Sequence, residues 1–240
     1  MASKIKKSLN LITNYFYYTA KPVWLNPIGV ARSINDIYCR KLVEKKYKKL
    51  FFLLNDLVQK SNSTGCEYSD YLNLYKLIRT GNYRQILECG SGVSSAVIAL
   101  AIKENISEGL GKSHLTSMEE SEFYFKQIES IFPKNLKEFV SFVCSNRQEK
   151  MFGDHLGCFY ESVPDHEYDF IYIDGPTDRK EWNNKNTPKC FNADVLMVRK
   201  SKNFVAVLDQ RIWTLRALRA LAPEFQFDYH PVGKFGKIKG

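Results

Sequence analysis

Ile86-Leu87-Glu88-Cys89-Gly90-Ser91-Gly92-Val93-Ser94-Ser95 is the stretch on which the fold turns. It reads as a short apolar strand, a glycine turn and a helix start, with an acidic residue two positions before the first glycine. Gly90 and Gly92 let the backbone bend sharply and approach a ligand with no Cβ in the way. A helix that begins just after such a bend presents unpaired N–H groups there, and Ser94 is placed to cap it.

Working outward, a regular alternation follows. Apolar strand-like runs at 85–89, 114–118, 139–144, 168–173, 204–208 and 225–229 are separated by helical patterns at 94–103, 121–132, 189–200 and 212–221. Near-continuous apolar strands interleaved with helices predict a Rossmann-like, doubly wound α/β fold with a mostly parallel sheet covered on both faces. Ligands in such sheets bind beyond the carboxyl ends of the strands, where strand order reverses. Glu88, Glu119, Asp174 and Asp209 all fall near those ends.

Upstream, apolar Ile34, Ile37, Tyr38, Tyr47, Leu50, Phe51, Leu54, Leu57 and Val58 recur at mostly helical spacing and are expected to face the core. Residues 61–65 form a polar turn cluster, and 68–80 read as a second helix with Leu74, Leu77 and Ile78 inward. The division is therefore a helical N-terminal extension, 1–64, and a Rossmann-like domain, 65–240. The segments 147–167 and 176–188 are expected to be specificity loops.

The formal net charge of +9 is unevenly placed. Residues 1–60 hold 12 Lys or Arg against 3 Asp or Glu, a surplus of 9, and residues 61–240 hold 23 of each. The basic part has two readings: a solvated helix face, or a contact with a polyanion or an acidic membrane surface. Lys4, Lys6 and Lys7 precede an apolar run that Asn10, Thr13 and Asn14 interrupt, which argues against a secretory signal. The aromatic run Tyr15-Phe16-Tyr17-Tyr18 with Trp24 fits a lid over the core or a membrane interface. Six cysteines without a CxxC pair fit free thiols in a reducing compartment, with Cys89 and Cys144 buried in strands. The expected location is cytoplasmic, with membrane-peripheral placement left open.

The charge of the glycine turn narrows the ligand. A dinucleotide fingerprint requires G-x-G-x-x-G/A, whereas Ser95 stands at the last position and Glu88 would repel a pyrophosphate. A carboxylate suits a cation, and S-adenosylmethionine carries a sulfonium and an ammonium but no phosphate. Gly111-Lys112-Ser113 is no phosphate loop, because Ile106 stands where its first glycine would be.

On these residues the chain resembles the class I S-adenosylmethionine-dependent methyltransferases over roughly 67–230. Glu88-Cys89-Gly90-Ser91-Gly92 matches the family's first motif, and Glu119 matches the acid expected to hold the ribose diol, with Glu120 a competing assignment. Asn146 falls where an adenine partner often sits. The implied cofactor-binding set is Glu88, Gly90, Gly92, Ser94, Ser95, Glu119, Asn146 and Asp174. Ile173-Asp174-Gly175-Pro176 departs from the [Asp/Asn]-Pro-Pro-[Tyr/Phe] turn of base-amino methyltransferases and is similar to small-molecule O-methyltransferases. Metal-dependent members of that group imply Mg²⁺ on Asp174, Asp209 and Gln210. Without metal, Asp174 would serve as base and Lys180 would stabilise an oxyanion, so Asp174, Asp209 and Lys180 form the catalytic set. His155 and His166 are further candidate bases, and Trp182, with Arg179 and Lys180, a candidate pocket wall. The expected reaction is methyl transfer to an oxygen of a small molecule or sugar. The alternatives are an RNA methyltransferase and a non-catalytic binding module.

Overall fold

The structure, a computed structural model, describes residues 27–61, 67–180, 186–199 and 203–240. Helices α1 (Pro27–Lys46), α2 (Lys48–Lys60) and α3 (Tyr68–Gly81) lead into β1 (Gln85–Cys89). Then come α4 (Val93–Ser107), β2 (His114–Glu119), α5 (Glu122–Ile131) and a 3-10 turn, Lys134–Phe139. Strands β3 (Val140–Cys144), β4 (Arg147–Phe152), β5 (His155–Tyr160), β6 (Phe170–Ile173) and β7 (Phe191–Asn192) follow. The chain continues through α6 (Asp194–Val198), β8 (Val205–Asp209), α7 (Ile212–Leu221), β9 (Gln226–His230) and β10 (Phe235–Lys239).

The main sheet has the order β3-β2-β1-β6-β8-β10-β9, with β3 to β8 parallel and β10 antiparallel to both its neighbours. The chain runs outward from β1 to β3 and returns to β6 on the other side, so strand order reverses between β1 and β6. Cys89 lies opposite Met118 and Ile173, and Ile173 opposite Leu208. Gly90, Glu119, Asp174 and Asp209 therefore share one edge. The predicted Rossmann-like sheet is present, and residues 235–239 complete it from within rather than trailing from its edge.

Side chains alternate between two cores, as the pleat requires. Ile86, Leu115, Phe170, Tyr172 and Val207 face one core with helices α1 to α4. Leu87, Met118, Ile171, Ile173, Ala206 and Leu208 face the other, with β5, β7, α6 and α7. Helix α4 is buried on nearly every side. An all-round apolar helix must be covered all round, and α2 and α3 provide the outer cover with Leu50, Leu54, Leu57, Leu74 and Ile78. Asp36 on α1 accepts a hydrogen bond from the Ser69 N–H at 2.9 Å, capping α3 from outside. The described part of segment 1–64 thus shares its core with the sheet domain.

Several local expectations are corrected. Ile34 and Tyr38 are each 62% exposed and Ile37 is 48% exposed; on α1 only Cys39 and Val43 are buried. Residues 31–60 are two helices, broken at Tyr47. The 147–167 loop contains the β4–β5 hairpin, which pairs with β7 in a second, three-stranded sheet. The helix expected over 189–200 shrinks to β7 and the one-turn α6. Cys144 is exposed, because β3 is an edge strand. Trp182 and the Tyr15–Trp24 aromatics lie outside the described residues.

Leu54→Ala should cost about 2–5 kcal/mol, the range for emptying a packed leucine site, and leave one cooperative unfolding transition. Chemical denaturation followed by far-ultraviolet circular dichroism checks this. Two separate transitions would mean that the N-terminal helices fold apart from the sheet.

Candidate functional site

The shared edge is closed by contact between two backbones. Gly90 has φ +100°, and a Cβ there would lie 2.8 Å from the Gly175 nitrogen. A Cβ on Gly175 would lie 2.7 Å from Gly90 Cα and 2.7 Å from the Tyr160 hydroxyl. The Gly90 N–H donates to the Met118 carbonyl at 3.0 Å, and the Asp174 N–H donates to the Cys89 carbonyl at 2.8 Å. The two loops after β1 and β6 thereby lock together where strand order reverses.

Helix α4 begins with Gly92 as its N-cap, not with Ser94. The Ser95 hydroxyl accepts from the Gly92 N–H at 3.0 Å and donates to Glu88, and the Ser117 hydroxyl donates to the same Glu88 oxygen at 2.6 Å. Glu88 and Ser95 are fully buried. Burial pushes the Glu88 carboxyl up to about 7 against the opposing influence of the Ser117, Ser94 and Ser95 hydroxyls. Its other oxygen, Oε1, has no hydrogen-bond partner among the described residues. Glu88 and Ser95 therefore sit beneath the glycine bend and brace it, instead of lining the space above.

That space is a cleft lined by Gly90, Ser91, Gly92, Val93 and Ser94 on one side and by Asp70, Tyr71, Tyr172, Asp174 and Asp209 around it. An adjoining apolar cavity shares Asp70, Tyr172 and Asp209 and continues under α3 to Leu74, Leu77, Val207 and Phe235. The three carboxylates come from α3 and from the ends of β6 and β8. Burial first, then Glu67, raises the Asp70 carboxyl to about 7. Burial first, then Asp174 and Asp70, raises Asp209 to about 8. The Asp174 side chain is half-exposed; crowding by the surrounding loops raises its carboxyl, opposed by Arg211.

Arg211, just before α7, escaped the sequence reading. Its guanidinium bonds the Asp174 carbonyl, lies 3.5 Å from Asp174 Oδ1, and reaches Asn192 Oδ1 at 3.0 Å and the Pro176 carbonyl at 3.3 Å. It fixes the 174–176 loop. Asp70 and Tyr71 also escaped, because a helix upstream of the glycine bend gives no local signal that its first turn faces that bend.

Glu119 is buried at the end of β2. Its carboxylate accepts from the Ser91 hydroxyl at 3.1 Å and from the Ser121 N–H at 3.0 Å. Burial and the neighbouring Glu120 raise it to about 7. Glu120 turns the other way, accepting from the Tyr160 hydroxyl at 3.1 Å and the Thr177 N–H at 2.9 Å. Glu119 is thus the acid on the glycine-loop side. Asn146 is exposed and donates to Glu161 at 3.1 Å. Lys180 is exposed, lines neither cavity, and acts on the charge of Glu149 on the β4 hairpin strand. His155 and His166 pack against Phe191 and Tyr168, and neither lines the cleft.

The residues do not fit a resident divalent metal. Among the described residues no three His, Cys, Asp or Glu side chains are grouped to hold one. Asp174 already faces the Arg211 guanidinium, and Gln210 is exposed. Among the described residues, a Cβ on Gly92 would meet nothing closer than the Ser94 hydroxyl at 3.9 Å.

No family model and no curated protein matches the chain. Similar solved structures include an O-methyltransferase from Bacillus cereus in complex with SAH, 17% identical, with a TM-score of 0.46 over 85% of this chain and 94% of that one. Another is the O-methyltransferase TomG from Streptomyces achromogenes, involved in tomaymycin synthesis and in complex with SAM, 12% identical, with a TM-score of 0.44 over 85% and 96% of the two chains. Likenesses at these values assign neither a family nor an activity to this chain.

Gly90→Ala should destabilise the protein by about 1–3 kcal/mol, since it combines a left-handed backbone with a backbone clash. Gly109→Ala is the control: it has φ +75° but nothing within 4 Å of its Cβ, and it should cost only about 1 kcal/mol. Urea unfolding of both variants checks this, and equal losses would show that the Gly90–Gly175 contact carries no load.

Proposed function

We propose that the cleft binds S-adenosylmethionine and that the chain is a methyltransferase acting on an oxygen of a small molecule or sugar. The observation that carries this reading is the lining itself: three carboxylates from separate elements face a glycine bend, and among the described residues no Lys or Arg lines the cleft. Such a lining disfavours phosphate and favours a sulfonium and an ammonium. The first N–H groups of α4 belong to lining residues and suit the carboxylate at the amino-acid end. Glu119, beside Ser91, is the acid available to a ribose diol.

When bound, S-adenosylmethionine supplies an activated methyl group that leaves the sulfonium by in-line displacement. The chain's own part is to align the acceptor oxygen and take its proton. Asp209, whose carboxyl burial raises to about 8, is placed to act as the base. Asp174, tied to Arg211, is suited to orienting the acceptor. The departure of Asp174-Gly175-Pro176 from the base-amino pattern supports an oxygen acceptor over a nucleobase.

The raised carboxyls fix the sign of the pH dependence. Above the ordinary carboxylate range the folded protein binds more protons than the unfolded chain does. This stabilisation is full below that range and is lost as pH rises through about 7 to 8. A cationic ligand favours the ionised carboxylates. Affinity for S-adenosylmethionine should therefore rise between about pH 6 and 8.5 with proton release, and the uncharged-sulfur product should show a smaller rise. Titration calorimetry in buffers of different ionisation heat measures both. No heat with either ligand would favour the non-catalytic module, and affinity falling with pH would contradict the charge assignment.

Asp70→Asn should weaken S-adenosylmethionine binding at least about tenfold, as expected for one hydrogen bond to a charged group. It should leave 5′-methylthioadenosine, which lacks the amino-acid end and the positive charge, within about twofold of the parent by the same criterion. Equal losses for both ligands would place Asp70 in the architecture of the cleft and not against the charge.

A further inference from the structure

The basic N-terminal helices carry a surface that the cleft does not use. On α1, Ile34, Ile37, Tyr38, Lys41 and Lys45 recur at three- and four-residue steps, which puts them on one face. Cys39 and Val43 occupy the opposite, buried face. The upstream half of the exposed stripe is apolar and the downstream half basic. Lys49 pairs with Glu104 at 3.1 Å and Lys60 with Asp56 at 2.6 Å. Lys41, Lys45, Lys46 and Lys48 are exposed and have no ion-pair partner among the described residues. The chain's whole net charge resides in residues 1–60, where 12 basic residues stand against 3 acidic ones.

Three kinds of partner can be weighed by charge and polarity. A second copy laid on this face would bring two sets of unpaired lysines together, which opposes association. A nucleic acid would engage the lysines but leave Ile34 and Ile37 in water. An anionic bilayer surface uses both halves. Isoleucine and tyrosine side chains enter the boundary below the headgroups, while lysine stems lie along it with their ammonium groups at the phosphates. No helix among the described residues is long and apolar enough to cross a membrane, so the contact is one of lying on the surface.

We propose that the Ile34-Ile37-Tyr38-Lys41-Lys45 face of α1 docks the protein on an anionic lipid surface. This stands apart from the reaction at the cleft. The face tethers the protein at a membrane whatever acceptor it uses.

The test is co-sedimentation of the full chain with vesicles of phosphatidylcholine alone and of phosphatidylcholine mixed with phosphatidylserine. Binding is expected to the mixed vesicles only and to weaken with added salt. The paired variants Ile34→Asp/Tyr38→Asp and Lys41→Glu/Lys45→Glu should each lose at least about tenfold in affinity. Their far-ultraviolet spectra and melting should stay unchanged, since these four side chains are exposed. Absence of binding to mixed vesicles would overturn the proposal. So would full binding by both variants, equal binding to neutral vesicles, or single-stranded RNA binding that both lysine and apolar variants abolish. A dimer in solution that Ile34→Asp/Tyr38→Asp converts to monomer would assign the face to a second copy instead.

Discussion

The rest of the structure depends on the approach of Gly90 to Gly175. Any side chain at either position would collide with the opposing backbone. Only that closeness lets the loops after β1 and β6 meet where the strand order reverses. The contact sets the floor of the cleft and brings Asp174 beside the bend. Beneath the bend, Glu88 is fully buried and serves as a brace held by the Ser95 and Ser117 hydroxyls. A charged-type residue buried in this way stabilises little by itself. Here it secures the Gly92 end of the bend through Ser95.

The cleft's acidic side chains and the exposed lysines are carried by different elements. The cleft gathers Asp70, Asp174 and Asp209, with Arg211 as the adjacent guanidinium fixing the loop from behind. The lysines lie on α1 and α2, whose inner faces fill the same core as α4. Helices 27–60 are therefore both a structural cover and the carriers of the basic surface. A segment that appears appended by composition is integral by packing.

The sheet was legible in the sequence because parallel strands buried on both faces leave continuous apolar runs, as 170–173 and 204–208 show. The acids at the strand ends were legible for the same reason, since the period places residues such as Asp174 and Asp209 just past the last apolar position. What was not legible involves partners distant in sequence. Arg211 reaches Asp174 across 37 residues, and Asp70 meets the bend only through the docking of α3. The β4–β5 hairpin was hidden because most of β4 faces solvent and lacks an apolar run. Ile34, Ile37 and Tyr38 had the right spacing for a core face, but spacing does not say which side of a helix meets the protein. Ser94 and Ser95 are adjacent hydroxyls, and only the turn geometry decides that Ser95, not Ser94, takes up the Gly92 N–H.

The central claim is that the Gly90–Gly92 bend and its three carboxylates form a seat for a cationic adenosyl thioether. A crystal structure of the protein grown with S-adenosylhomocysteine tests this most directly. The account predicts the nucleoside beside Gly90–Gly92 with its ribose toward Glu119 and its amino-acid end among Asp70, Asp174 and the first N–H groups of α4. An empty bend with the ligand bound elsewhere, or a bend filled by side chains, would contradict it.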